Sequence, residues 1–150
     1  MDIDADRLGA FMGKMLGDFG AAANAALIKV GDRLGLYKVL AAQGPMTSQQ
    51  LAAASGTTER CVREWLSAQA AQGYVTYDKS TQKFSLSPEQ AMVFADEDSP
   101  YFMGAVGDMM SAFVLDEPKI SEAFRTGTGV SWNDRAECLF CGTARFFRTT

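Results

Sequence analysis

The chain has 150 residues, of which 47% are hydrophobic and 21% charged, with a net charge of -4, three cysteines and no histidine. These values are typical of one globular domain that buries a core without disulfides, and they argue against a disordered chain. The missing histidine argues against a self-contained catalytic triad and against a zinc site.

The N-terminal third is predicted to be helical. The first helix is predicted from Asp4 to Phe19, with Gly17 and Gly20 marking its end. A second helix runs from Ala21 to Leu34. After Gly35 the helix continues to Ala42. Along the first helix, six large apolar side chains recur at helical spacing. We call them the N-terminal stripe: Leu8, Phe11, Met12, Met15, Leu16 and Phe19. The stripe is either part of the core or a contact with a second copy of the chain.

Residues 47–75 have the pattern of a helix-turn-helix. Thr47 and Gln50 have the spacing of a capping box, and Gly56 stands where a left-handed residue ends the first helix. The second helix is expected to bury one apolar face, formed by Val62, Trp65, Leu66 and Ala70. The next run, YVTYDKSTQKFSLS, alternates around a polar turn and predicts a β-hairpin. Helix, helix and hairpin in this order indicate a winged helix-turn-helix.

Further helices are predicted after the hairpin. Pro88 begins a short helix, Tyr101 to Leu115 forms a Met-rich helix, and Pro118 opens another. A final helix starts near Ser131, with Asp134 in capping-box position, and runs toward Phe147. The fold class is therefore mainly α: a winged helix-turn-helix with a small β-hairpin wing and extra N- and C-terminal helices. We divide the chain into N-terminal helices (1–42), a winged core (43–87) and C-terminal helices (88–150).

Three patterns suggest chemistry, and each has a plainer explanation. Cys138 and Cys141 form a Cys-x-x-Cys pair, but Cys61 is the only other thiol, and the pair lies inside a predicted helix instead of at its start. We therefore expect reduced cysteines and no metal site.

The outward face of the second winged-core helix carries two charges of each sign, from Glu59, Arg60, Arg63 and Glu64. This balance argues against DNA binding.

The third pattern is a group of large apolar residues in the C-terminal helices, which either line a pocket for a small apolar ligand or fill the core. They are Met103, Met109, Met110, Phe113, Trp132, Phe140 and Phe146. Arg145 and Arg148 could face an acidic partner or domain.

The sequence also resembles a known family. The run GDRLGLYKVLAAQGPMTSQQLAAASGTTERCVREWLSAQAAQGYVTYD, followed by FSLSPEQAMVFADEDSP, is similar to the N-terminal region of a bacterial-type family of class I S-adenosylmethionine-dependent methyltransferases. In that family a winged-helix domain precedes the catalytic Rossmann-like domain. The resemblance implies that the N-terminal helices and the winged core build a homodimer and cover the substrate.

The family's cofactor site lies in the catalytic domain, on a strand that ends in an acidic, glycine-rich turn. This sequence contains no such turn, so we expect no catalytic, cofactor-binding or metal-binding residue here, and a catalytically silent chain. S-adenosylmethionine and a small-molecule acceptor are implied for the full-length parent only. The expected acceptor-side residues are Met109, Phe113, Trp132 and Phe146, and the expected dimer contacts are Phe11, Met12, Met15, Leu16 and Phe19. The rival hypothesis is a stand-alone winged-helix transcription regulator that binds DNA and an apolar ligand.

The location of the protein is expected to be the cytoplasm. The acidic start MDIDAD is not a signal peptide, and no apolar run approaches the length of a membrane span. An odd number of cysteines also argues against a secreted disulfide framework.

Overall fold

The structure, a computed structural model, describes residues 2–148, so residues 1, 149 and 150 of the outer two segments lie outside the described range. The helices are α1 (Ala5–Arg33), α2 (Leu36–Gln43), α3 (Ser48–Ser55), α4 (Glu59–Ala71), α5 (Pro88–Phe94), α6 (Val106–Leu115), α7 (Glu117–Thr126) and α8 (Glu137–Phe146). The strands are β1 (Thr76–Asp78) and β2 (Lys83–Ser85), and Trp132–Asp134 form a 3₁₀ turn. None of the helices in residues 2–148 combines the length and the apolar character that a bilayer crossing requires.

Helix α1 is continuous through the glycines that were expected to end it. Asp4 caps its start by accepting hydrogen bonds from the N–H groups of Asp6 and Arg7. Gly17 and Gly20 keep helical backbone angles, and the alanines that follow are strong helix formers, so the predicted break is wrong. The helix ends where Gly35 adopts a left-handed conformation with φ of 68°.

The winged helix-turn-helix prediction is confirmed. Thr47 and Gln50 form the capping box, with the Thr47 N–H donating to Gln50 Oε1 at 2.9 Å, and Gly56 is left-handed. Strands β1 and β2 are antiparallel, with Tyr77 opposite Phe84. The wing and helices α2–α5 share one apolar core, which includes Leu36, Tyr37, Leu40, Leu51, Val62, Trp65, Leu66, Val75, Phe84 and Phe94. The indole N–H of Trp65 donates to the Leu27 carbonyl at 2.8 Å and thereby ties α1 to this core.

Two C-terminal helices begin later than predicted. Turns occupy residues 97–105, where Phe102 is buried and the Met103 N–H donates to the Val93 carbonyl at 2.8 Å, so α6 begins at Val106 instead of Tyr101. Before α8, the chain is extended at Arg135, because the buried Asp116 accepts hydrogen bonds from Arg135 Nε at 2.8 Å and from the Ala136 N–H at 3.0 Å. Helix α8 therefore starts at Glu137 and not near Ser131.

Candidate interaction surfaces and cavities

The N-terminal stripe lies on the surface. Phe11 is 61% exposed, Leu16 66% and Phe19 65%, and only Met15 of the six is half-buried. The stripe is therefore not part of the core that residues 2–148 form. Its assignment as a subunit contact stays a prediction, because a large exposed apolar face commonly marks a contact surface.

A second group of exposed apolar side chains lies between the end of α6 and the 3₁₀ turn. Phe124 on α7 is 89% exposed and Trp132 is 58% exposed. Phe113, Val114 and Leu115 at the end of α6 are exposed as well. Within residues 2–148 no element covers these side chains. We call these five residues the C-terminal apolar surface.

The four expected acceptor-side residues lie on α6, on α8 and on the 3₁₀ turn. Helices α6 and α8 pack closely, because Gly142 has no side chain to hold Met109 away. Trp132 packs edge-on against Phe140 on α8, with ring centroids 5.1 Å apart, and Phe146 contacts Phe147 in the same manner. Phe113 and Trp132 are exposed, and Met109 and Phe146 are half-buried. None of the cavities described below is lined by these four residues, so their role stays a prediction.

An apolar cavity of about 270 Å³ lies between α1, α5 and α6. Its lining comprises Ala25, Ile28, Tyr74, Val93, Phe94, Met103, Val106 and Gly107. Of the residues expected to line a pocket, Met103 is found here. The cavity is slightly smaller than the usual range for drug-sized ligands, about 300–1,000 Å³. Sequence reasoning missed it, because its lining comes from segments that are far apart in the chain.

A polar cavity of about 500 Å³ lies between α1, α6 and α8. Its lining comprises Lys29, Asp32, Arg33, Asp108, Glu137, Cys138, Cys141 and Arg145. The charges of both signs are equal in number here, and Lys29 pairs with Asp108 at 3.0 Å. Within residues 2–148, no group of three or more cysteine and carboxylate side chains is placed to hold a metal ion.

Arg145 and Arg148 contact acidic groups of this chain itself. Arg145 donates to Asp32 at 2.8 Å and to Glu97 at 2.6 Å, and its guanidinium lies 5.0 Å from the ring centroid of Phe102. Arg148 pairs with Asp98 at 2.7 Å. These ion pairs hold the end of the chain's last helix, α8, against α1 and against the turn that follows α5. Both arginines therefore already have acidic partners within this chain.

The face of the winged core that other winged helices use for DNA carries two carboxylates, Glu59 and Asp78, that accept hydrogen bonds within this chain. Glu59, at the start of α4, accepts from the Ser48 hydroxyl at 2.8 Å and lies 3.8 Å from Arg63. At the turn of the wing, hydrogen bonds from Ser80 and Thr81 lower the pKa of Asp78 to about 2. Asp78 is therefore ionised at neutral pH, where a phosphate backbone would repel it.

Glu97 lies at the centre of the ion pairs around α8, which makes stability sensitive to acid. Hydrogen bonds from Lys38 and then Arg145 lower the pKa of Glu97 from 4.5 to about 2. Because the pKa is lower in the folded state, this stabilisation is fully present above pH 4.5 and is lost as the pH falls toward 2.

We expect Glu97→Gln to reduce the free energy of unfolding at neutral pH by about 1–2 kcal/mol, after allowance for solvent screening. The difference between the variant and the wild type should shrink as the pH is lowered from 4.5 to 2. Urea unfolding at a series of pH values measures this, with the exposed Glu64→Gln as control. A difference that stays constant with pH would contradict the role of Glu97.

The comparisons with known proteins agree with this architecture. Residues 22–95 match the family model of the Rv2258c-like winged HTH domain. Among solved structures, the mitomycin 7-O-methyltransferase MmcR is similar with a TM-score of 0.72 and 21% identity, over 97% of this chain and 46% of that one. CalO1, a methyltransferase in calicheamicin biosynthesis with SAH bound, has a TM-score of 0.66 and 21% identity over 99% of this chain and 46% of that one. PigF with SAH has a TM-score of 0.67 and 18% identity over 97% of this chain and 44% of that one.

The chain spans less than half of each of the three solved structures. No curated protein matches it by sequence. The family match covers α1 from residue 22, the winged core and α5, which are the elements around the shared apolar core. The predicted resemblance is thus confirmed at the level of the fold: residues 22–95 match the Rv2258c-like winged HTH domain, and the chain is similar in fold to part of each of these solved structures.

Proposed function

We propose that this chain is the dimerisation and substrate-covering domain of an S-adenosylmethionine-dependent methyltransferase. The observation that carries the proposal is the pair of exposed apolar surfaces, the N-terminal stripe on α1 and the C-terminal apolar surface. The similar structures are named as methyltransferases or hold SAH, and each extends well beyond the part that this chain matches. Methyl transfer, the cofactor and the acceptor are therefore proposed for a whole protein that contains this domain.

The two surfaces are suited to two different contacts. The N-terminal stripe lies on the part of α1 before residue 22, where the helix projects from the winged core, and an identical helix is a suitable partner for it. The C-terminal apolar surface includes Trp132 and Phe113, two of the four expected acceptor-side residues. A catalytic domain placed against it would enclose the acceptor and exclude water.

The division of work in the proposed enzyme follows from the chemistry of the cofactor. The sulfonium group of S-adenosylmethionine makes its methyl carbon reactive, so the protein mainly positions the acceptor. Large apolar side chains such as Phe113 and Trp132 can position an aromatic acceptor without a histidine base. We propose that this domain supplies such contacts and that it is catalytically silent when it is alone.

The rival function, a DNA-binding regulator, is not supported by the electrostatics. Glu59 and Asp78 place negative charge on the recognition helix and on the wing, and the chain has a net charge of -4. Phosphate contacts need a concentrated positive surface. We therefore propose that nucleic acid is not a ligand of this domain.

The size of the native protein tests the proposal. An antibody raised against this chain of 16.2 kDa should detect a substantially larger protein in the source cells. The larger protein, once isolated, should bind S-adenosylmethionine, and this chain alone should not. A band at 16.2 kDa, together with salt-dependent binding of duplex DNA by the chain, would contradict the proposal and favour the regulator.

A further inference from the structure

We propose that Cys138 and Cys141 are a reversible thiol–disulfide pair, oxidised by a low-molecular-weight disulfide that enters the polar cavity between α1, α6 and α8. The structure corrects the position of this pair. Because α8 begins at Glu137, Cys138 is the second residue of the helix and Cys141 lies one turn later. Both cysteines are reduced, and both line the same cavity.

The start of a helix is a place where such a pair can close. Side chains three residues apart on a helix have Cβ atoms about 5–6 Å apart, whereas a disulfide needs about 3.5–4.5 Å. The first turn must therefore tighten by roughly 1–2 Å. The first N–H groups of a helix have no intrahelical partner, so this change breaks few hydrogen bonds. Ala136, the residue before α8, provides no side-chain cap that would resist it.

The cavity gives a small oxidant access to both sulfurs. Its volume is about 500 Å³, Cys141 is exposed and Cys138 is half-buried. Two of the lining residues, Arg33 and Glu137, form no ion pair within residues 2–148, so one charge of each sign is available to a ligand. Oxidised glutathione is a small disulfide that carries both ammonium and carboxylate groups, so it can pair with both of these charges.

The reaction balances without any other reagent. One cysteine, as the thiolate, attacks the small disulfide, forms a mixed disulfide and releases one thiol. The other cysteine then attacks the mixed disulfide, closes the Cys138–Cys141 bond and releases a second thiol. The two cysteines lose two electrons and two protons, and the small disulfide takes them up as two thiols.

Oxidation should also change the surroundings of the Trp132 indole. Phe140 lies between the two cysteines in the sequence and packs edge-on against Trp132 with ring centroids 5.1 Å apart. Tightening of the first turn of α8 moves Phe140 and so changes the surroundings of the indole. Oxidation of this pair can be measured without any assay of methyl transfer.

The chain contains its own control in Cys61. Cys61 is also exposed near the start of a helix, α4, but the residue three positions later is Glu64, so it has no second thiol. We would equilibrate the full chain with defined ratios of reduced and oxidised glutathione, alkylate the free thiols and identify them by mass spectrometry. We expect Cys138 and Cys141 to be lost together as an internal disulfide, while Cys61 is either alkylated or joined to glutathione.

Single substitutions make the result decisive. In a Cys61→Ser background, Cys138→Ser and Cys141→Ser should each yield only a mixed disulfide. Half-oxidation of each should need at least about tenfold more oxidised glutathione, because the tethered second thiol is absent. Oxidation of the Cys61→Ser protein should change the tryptophan fluorescence, and Trp132→Phe should abolish that change. If Cys138 and Cys141 stay alkylatable at every ratio, or form separate mixed disulfides as Cys61 does, the proposal is wrong.

Discussion

Replacement of Gly31 by alanine is expected to reduce the free energy of unfolding by about 2–3 kcal/mol. Gly31 lies near the end of α1 where the helix crosses the core, and a Cβ atom there would overlap the indole of Trp65 and lie 2.7 Å from the ring of Tyr37. Neither ring can move without the loss of a hydrogen bond. Trp65 donates to the Leu27 carbonyl at 2.8 Å, and the Tyr37 hydroxyl donates to the buried Gln69 at 2.7 Å.

Gly17→Ala is the matched control on the same helix. A Cβ atom at Gly17 meets nothing within 4 Å, and the position lies on the side of α1 opposite the N-terminal stripe. Alanine there should stabilise the protein by about 0.5–1 kcal/mol, since it limits the unfolded chain and favours the helix. Thermal unfolding would show a lower midpoint for Gly31→Ala and a higher one for Gly17→Ala. Equal shifts would mean that α1 does not pack closely on Trp65.

The double substitution Phe11→Glu and Met15→Glu is expected to convert a dimer into a monomer. Burial of a large apolar side chain contributes about 1.5–3 kcal/mol, and in a twofold dimer each residue is buried twice. The dissociation constant should therefore rise by at least about 100-fold. The fold of the winged core should be unaffected, because Phe11 is exposed and Met15 is half-buried outside that core.

Light scattering after gel filtration, over a range of protein concentrations, measures this change in mass. Ala21→Glu introduces the same carboxylate on the far side of α1, at an exposed position, and should leave the mass of the dimer unchanged. An unchanged mass for the double variant would show that the N-terminal stripe is not the subunit contact. A monomeric wild-type chain would show that this domain does not dimerise by itself.

Much of the winged core could be predicted because its signals are local. The capping box at Thr47 and the left-handed Gly56 depend on atoms within three or four residues of each other. The alternating runs around the polar turn likewise predicted the pairing of β1 with β2. The spacing of Val62, Trp65 and Leu66 also identified the buried face of α4.

Contacts between distant segments decided the remainder. The start of α8 depends on Asp116, which holds Arg135 and Ala136 from about twenty residues away, and this contact also brings the cysteine pair to the helix start. The apolar cavity takes its lining from five segments, so no short window of sequence contains it.

The N-terminal stripe is an example of what the sequence predicts and what only the tertiary structure shows. Its apolar spacing predicted that this face of α1 is buried, either in the core or against a second copy of the chain, because water disfavours such a surface. Only the tertiary structure shows that residues 2–148 leave this face exposed, since the winged core packs on the later part of α1. The sequence by itself determined the local elements and their apolar faces, because these follow from short-range hydrogen bonds and side-chain periodicity. The tertiary structure decided which of those faces meet each other, because that depends on the space that the other elements have already filled.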